Sequence, residues 1–303
     1  MRPWQFSKPK NPGFGIAADY YLSVLCSTAV MPSIHAVINP EGEGGAMVGF
    51  GAPLSAPSSD KSVLRQPLGR GAYVVAAKDR KTVLKMLVLN GDETSFDPEA
   101  FARSSIAQEA APELVARVRA TWNLAQLTFE SHHPMVYPAL DFFMGVARRI
   151  AQVSDGVVAD PVSQRYLLPE EVFRLDRLDP RVDAREQLAT KRRRRPDGLQ
   201  VYTLGMQKFG LPEYEILNLF DEDEPYAHAF LLSLSQQVLL GDLTRPGDQF
   251  GLPKFQFEAR EGGFERDLWE GISVFELLPP TTLTAGECLR AWAASLPKNA
   301  PSA

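Results

Sequence analysis

Residues 114–171 read LVARVRATWNLAQLTFESHHPMVYPALDFFMGVARRIAQVSDGVVADPVSQRYLLPEE, and the changes of period inside this stretch decide the fold class. Leu114, Val115, Val118 and Trp122 recur at three- and four-residue spacing, the apolar face of a helix over residues 108–121. Leu127 and Phe129 then alternate with Gln126 and Thr128, the period of a strand over residues 124–129. Pro138 opens a second helix striped by Leu140, Phe143, Val146, Ala147 and Ile150, and Gly156 is placed to end it in left-handed conformation. Val157, Val158 and Ala159 form a short strand that stops at Asp160-Pro161. The expectation is an α+β fold, a ferredoxin-like sandwich with helices packed on one face of a mainly antiparallel sheet. A looser copy of the pattern after residue 198 predicts a second such unit.

Upstream, residues 73–77 and 82–89 are apolar or β-branched and flank the charged turn Lys78-Asp79-Arg80-Lys81, as in a hairpin. Asp97-Pro98-Glu99 carries the marks of a helix start, with Asp as N-cap and Pro in the first turn. Residues 1–70 are punctuated by Pro and Gly; residues 34–38 and 46–50 read as short strands, and the segment as a whole completes the first domain or covers a groove. The first α+β domain spans residues 71–180. Residues 181–198, with Lys191, Arg192, Arg193, Arg194 and Arg195, read as a charged, solvated linker. The second domain spans residues 199–285, with strands at 199–204, 214–220, 254–258 and 272–277 and a helix at 226–240 striped by Phe230, Leu231, Leu234, Val238 and Leu239. Residues 286–303 read as a tail.

A chain of 303 residues with 45% hydrophobic and 23% charged content has ample material for two cores. Its net charge of −5 argues against wholesale attraction to nucleic acid or anionic lipid. Arg2, Lys8 and Lys10 precede an apolar run in the manner of a signal peptide. Asp19 interrupts the approach, however, and Leu25 stands before Cys26 where a cleavage site wants a small residue, so residues 20–31 read as a buried first helix. No run reaches the ~20 apolar residues of a membrane span. Two cysteines 262 positions apart, Cys26 and Cys288, have no metal-type spacing. A reducing, cytoplasmic setting is expected.

Two segments carry a family resemblance. One is Gly156-Val157-Val158-Ala159-Asp160-Pro161, running into Arg165-Tyr166-Leu167-Leu168-Pro169-Glu170-Glu171. The other is Tyr202-Thr203-Leu204-Gly205-Met206-Gln207-Lys208-Phe209-Gly210-Leu211-Pro212-Glu213. Over roughly residues 80–285 the chain resembles an uncharacterised bacterial family of α+β proteins built from ferredoxin-like units, with no assigned activity. Members of such families often sit near secretion and toxin–immunity systems, so the resemblance implies a partner-binding role. It speaks to fold more than to activity.

Four constellations offer chemistry. His132 and His133 follow the strand at 124–129, and Asp160 ends a strand placed to neighbour it, a donor set suited to zinc or manganese in a metal-assisted hydrolase. Adjacent histidines at a strand end point to opposite faces, and neither HExxH nor paired CxxC spacing is present. The blander reading is a polar helix-entry turn. Asp155, Asp160, Glu170 and Glu171 similarly read as turn and helix-end carboxylates rather than an acid–base pair. Lys191, Arg192, Arg193, Arg194 and Arg195 suit phosphate contacts with a nucleic acid, against which stand the acidic total charge and the run Asp221-Glu222-Asp223-Glu224. Phe209, Tyr214, Trp269 and Phe275 could form a recognition surface but sit in strand-like settings that favour the core. No nucleotide-binding glycine pattern or nucleophile elbow is present. No cofactor is expected, and the reading is a non-catalytic protein that binds a protein partner through sheet edges or an interdomain groove.

Overall fold

The structure, a computed structural model, describes residues 13–38, 49–54, 61–131, 136–172, 183–263 and 266–296. They fall into two compact units, Ala18–Pro180 and a second that joins residues 13–17 to the chain beyond residue 180.

The first unit runs β1 (Tyr21–Cys26), α1 (Ile34–Ile38), β2 (Gly49–Pro53), β3 (Gly71–Ala77), β4 (Val83–Asn90), α2 (Pro98–Ala102), α3 (Ser105–Glu109), α4 (Pro112–Arg119), β5 (Asn123–Phe129), α5 (Val136–Val153), β6 (Val157–Asp160) and β7 (Arg165–Leu167). Its strands form one sheet in the order β2-β3-β4-β5-β1-β6-β7, antiparallel at every pairing. The run at 20–31 therefore opens as a strand, not a helix. β1 lies between β5 and β6 with Leu22, Val24 and Leu25 all buried, and a strand covered on both faces loses the polar alternation that betrays period two. Residues 34–38 are helical rather than extended, with the Ser33 hydroxyl accepting from Ala36 N at 3.1 Å. Of the strand expected at 46–50, the described part is the start of β2.

Register sorts the core of this unit into two layers. Leu25 faces Leu124 on one side and Val157 on the other, and with Ala159 they pack against Phe101, Leu114 and Val118 from α2 and α4. Phe129, five residues from Leu124, points to the opposite face, where its ring meets Phe143 of α5 at 4.4 Å. Asp97 caps α2 by accepting from Glu99 N and Ala100 N, as its sequence predicts. Trp122 lies beyond the end of α4 and is 63% exposed, so it leaves the apolar face assigned to it. The left-handed residue after α5 is Asp155, at φ 47°, not Gly156. Gly156 is needed for another reason: a Cβ there would lie 2.4 Å from the Leu25 carbonyl oxygen.

The second unit runs α6 (Ala184–Gln187), β8 (Ala189–Arg195), β9 (Gly198–Leu204), β10 (Glu213–Leu219), α7 (Glu224–Leu239), β11 (Gln249–Leu252), β12 (Phe255–Glu261), α8 (Arg266–Trp269), β13 (Val274–Leu278) and α9 (Ala285–Ser295). Its sheet has the order β11-β12-β13-β10-β9-β8, antiparallel except for β10 with β13. α7 and α9 pack on one face, where Phe230 meets Phe257 at 5.2 Å and Trp292 at 5.1 Å. Tyr202, Leu204, Trp269 and Val274 cluster together; register places Tyr202 and Val274 on the face away from the helices. Phe209, Tyr214, Trp269 and Phe275 are all buried, as core packing requires.

The α+β class holds, with antiparallel pairing dominant in both sheets. Seven and six strands, with helices on both faces of the first sheet, do not make the ferredoxin-like layer expected. The difference comes from β1, β7, β8 and β11, strands that charge, burial or brevity hid. Residues 189–195 are a strand of the second sheet rather than a linker. Residues 285–295 are a helix rather than a tail, announced by the capping box of Thr284 and Glu287.

Phe143 is fully buried between Tyr20 and Phe129. Phe143→Ala is expected to lower the unfolding free energy by about 3–5 kcal/mol. Urea denaturation checks this, and an unchanged midpoint would contradict the core described here.

Candidate functional site

β5 and β6 both run antiparallel to β1, so their C-terminal ends lie at the same end of the first sheet. Asp160 sits there, 2% exposed, accepting from Ser163 N at 3.3 Å and paired in register with Arg165. The Tyr20 phenol beside it is pushed well above its ordinary pKa, first by burial and then by the Asp160 charge. His132 and His133 lie outside the described residues, so their distance to Asp160 is not part of this geometry. Among the described residues no group of three His, Cys, Asp or Glu side chains is placed to hold a metal ion. Asp155 forms an ion pair with Arg117 at 3.3 Å, and the Glu171 carboxylate accepts from Leu168 N at 2.8 Å. Asp160 and Glu171 hold their own turns, and Asp155 ties the end of α5 to α4.

The basic run forms β8, an edge strand, and alternation divides it. Arg192 and Arg194 turn to the acidic run at the start of α7, Arg192 to Glu224 at 2.8 Å and Arg194 to Asp221 at 2.6 Å. Thr190 on the same side meets His228 Nδ1 at 2.7 Å. Lys191 and Arg193 lie across from Tyr202 and Gln200 on the other face, and Arg195 pairs with Asp197 at 3.2 Å. The strand spacing of ~3.3 Å per residue thus spreads five cations over two faces, with carboxylates beside Arg192, Arg194 and Arg195.

Sequence reading missed two buried carboxylates on β10. Glu213 accepts from Gly205 N at 2.7 Å, Gln207 N at 3.2 Å and the Thr203 hydroxyl at 2.7 Å. It thereby seats the turn of the Gly205–Glu213 segment. Gly205 has φ 123°, and a Cβ there would approach the Gln187 carbonyl oxygen to 2.9 Å. Burial raises the Glu213 pKa above the ordinary carboxylate range, and these hydrogen bonds oppose the rise. Glu215 accepts from Gln200 Nε2 at 2.7 Å, Trp269 Nε1 at 2.8 Å and Gly263 N at 3.1 Å. Carboxylates held by three donors each act as clamps for loops rather than as bases. The available signal was the spacing Glu213-Tyr214-Glu215 in a strand otherwise apolar but for Asn218, an anomaly that calls for buried partners.

The second sheet ends at β11. Here α7, α9 and β11 bound a groove of about 360 Å³, lined by Phe230, Leu234, Gln237, Phe250, Leu252 and Trp292 among others, none of the lining side chains charged. Ala259 N donates to Asp248 O at 2.8 Å, which fixes the parity of the β11–β12 ladder. Hydrogen-bonded positions alternate in an antiparallel pair, so Phe250 and Leu252 turn their peptide groups to β12 while Gln249 and Gly251 turn theirs outward. Gln249 and Gly251 are exposed, and β11 has no strand on its outer side among the described residues. What this arrangement can do is accept another strand.

No family model, curated protein or solved structure matches this chain.

The raised Glu213 pKa makes a signed prediction. A carboxylate whose folded pKa exceeds its unfolded pKa binds more protons when folded, so its penalty is absent below the unfolded pKa and complete above the folded one. Between those values stability falls as pH rises, and Glu213→Gln is expected to remove that component of the slope. Urea midpoints of the two proteins across the acid range check it; parallel profiles would refute the assignment.

Proposed function

We propose that this chain is a non-catalytic binding protein that takes up a protein partner by strand addition at β11. The observation that carries the reading is the outward-facing backbone of Gln249 and Gly251 beside an uncharged, aromatic-lined groove. Main-chain hydrogen bonds supply affinity in such an arrangement and side-chain pockets supply specificity. The other sheet edges are poorer templates. β2 ends in Pro53, β7 has three residues, and β8 carries five consecutive cations; proline, shortness and like charge are the usual guards against edge pairing. Among the described residues no helix is long and apolar enough to cross a membrane. The buried free thiols of Cys26 and Cys288 support a cytoplasmic setting.

Gln249→Pro tests the reading. Proline removes an outward N–H while leaving the β12-facing bonds of the hairpin in place, a substitution that edge strands tolerate. Loss of one main-chain hydrogen bond at ~1 kcal/mol corresponds to about fivefold weaker capture of the partner. The comparison is a quantitative pull-down with the wild type, Gln249→Pro and Arg193→Ala, each checked for an unchanged melting curve. Partner recovery that survives Gln249→Pro but not Arg193→Ala would move the docking site to the β8 side.

A further inference from the structure

β11 is bounded by opposite charges. Asp248 precedes it and Lys254, at φ 72° in the two-residue turn to β12, follows it. The strand between them, Gln249-Phe250-Gly251-Leu252, carries no charge and has a glycine at the midpoint of the interval from 248 to 254. Such a segment is complementary to itself when reversed. We infer that the partner taken up at β11 is a second copy of this chain, its β11 paired antiparallel about a two-fold axis through Gly251. This rests on β11 being the docking edge.

The register follows from the residue numbers. With Gly251 opposite Gly251 of the second copy, Phe250 falls opposite Leu252 and Asp248 falls opposite Lys254, each twice by symmetry. Gly251 is one of the two positions whose peptide groups face outward, so the central pair exchanges two hydrogen bonds with no side chain on either residue. Phe250 and Leu252 lie on the helix-bearing side, since Phe250 pairs with Phe257, whose ring packs on Phe230. Their cross-strand contacts therefore extend the aromatic lining of the groove formed with Trp292. The uncharged lining offers no counter-ion to a charged residue of an incoming strand, whereas the two ends of β11 offer one each. Gln249 falls opposite Pro253, whose carbonyl oxygen can accept the Gln249 N–H but which has no N–H to return, so the ladder ends at that pair. A register shifted by one residue would place Gln249 opposite Leu252 and Asp248 opposite Pro253, losing the charge match and turning an apolar side chain to the wrong face.

Asp248 has a second task, since its Oδ2 accepts from Arg245 N at 2.6 Å in the preceding turn. Charge reversal at Lys254 is accordingly the cleaner perturbation, and Asp248→Lys is interpreted only beside the double variant.

Sedimentation velocity on the full chain over a hundredfold concentration range is the test. The expected result is a monomer–dimer equilibrium that Gln249→Pro, removing one N–H from each copy, weakens about tenfold or more. Lys254→Glu sets two pairs of like charges against each other and should weaken dimerisation about tenfold or more. Asp248→Lys should do the same, and Asp248→Lys with Lys254→Glu should restore association. A monomer at every concentration overturns the inference, as does a dimer indifferent to Gln249→Pro or a double variant no better than its parents. The docking reading fails separately: a monomeric protein that still loses a different captured partner on Gln249→Pro keeps the β11 edge and rejects the second copy. A protein that neither dimerises nor loses a partner rejects both.

Discussion

A carboxylate removed from water must be surrounded by donors, and the second unit is organised around that demand at Glu213. Its two oxygens hold Gly205 N, Gln207 N and the Thr203 hydroxyl, which fixes the turn between β9 and β10. The same turn presents the buried ammonium of Lys208 to the Gln187 carbonyl oxygen at the end of α6. The Lys208 carbonyl oxygen in turn accepts from Ala17 N at 2.7 Å, while the Phe14 ring packs edge-on against Phe209. One short segment thereby gathers the residues before β1, the entry to β8 and the central strand β10. With β10 set, β13 pairs beside it, then β12, then β11, so the placement of the outermost strand descends from a polar centre with two strands between them.

The two ends of that sheet are finished differently. β8 closes one side with a row of basic residues, two of which are drawn onto the carboxylates of Asp221 and Glu224. The pairs are exposed, and exposed pairs contribute ~0–1 kcal/mol each, so their effect is on what approaches the edge more than on stability. β11 closes the other side with a short neutral strand and an uncharged groove lined by both aromatic and polar side chains. One edge of this sheet is guarded by charge and the other is not, and the proposed strand addition at β11 rests on that asymmetry.

Much of this architecture is legible in the chain itself. The hairpin of β3 and β4, the cap at Asp97, β5, α5, β6 and the β9–β10–α7 series all carry the period or capping residues that physics assigns to them. What escapes does so for identifiable reasons. β1 is covered on both faces and so lacks alternation, and the cations of β8 mimic a solvated linker although strand pairing to β9 is what orders them. α9 was hidden by proximity to the chain end despite its capping box. The metal-type constellation at His132, His133 and Asp160 illustrates a different limit: Asp160 is already engaged with its own hairpin and with Tyr20. The β11 groove left almost no sequence trace, because a four-residue uncharged strand between turns has too few positions to show a period.

Amide hydrogen exchange at Gln249 and Gly251 tests the central claim most directly. In the dilute, unpartnered protein these two outward amides should exchange far faster than Phe250 and Leu252, whose amides are bonded to β12. On association they should become protected while the rest of the sheet changes little. Protection of Gln249 and Gly251 already present in the dilute protein, or association that leaves them unprotected, would contradict a docking edge at β11.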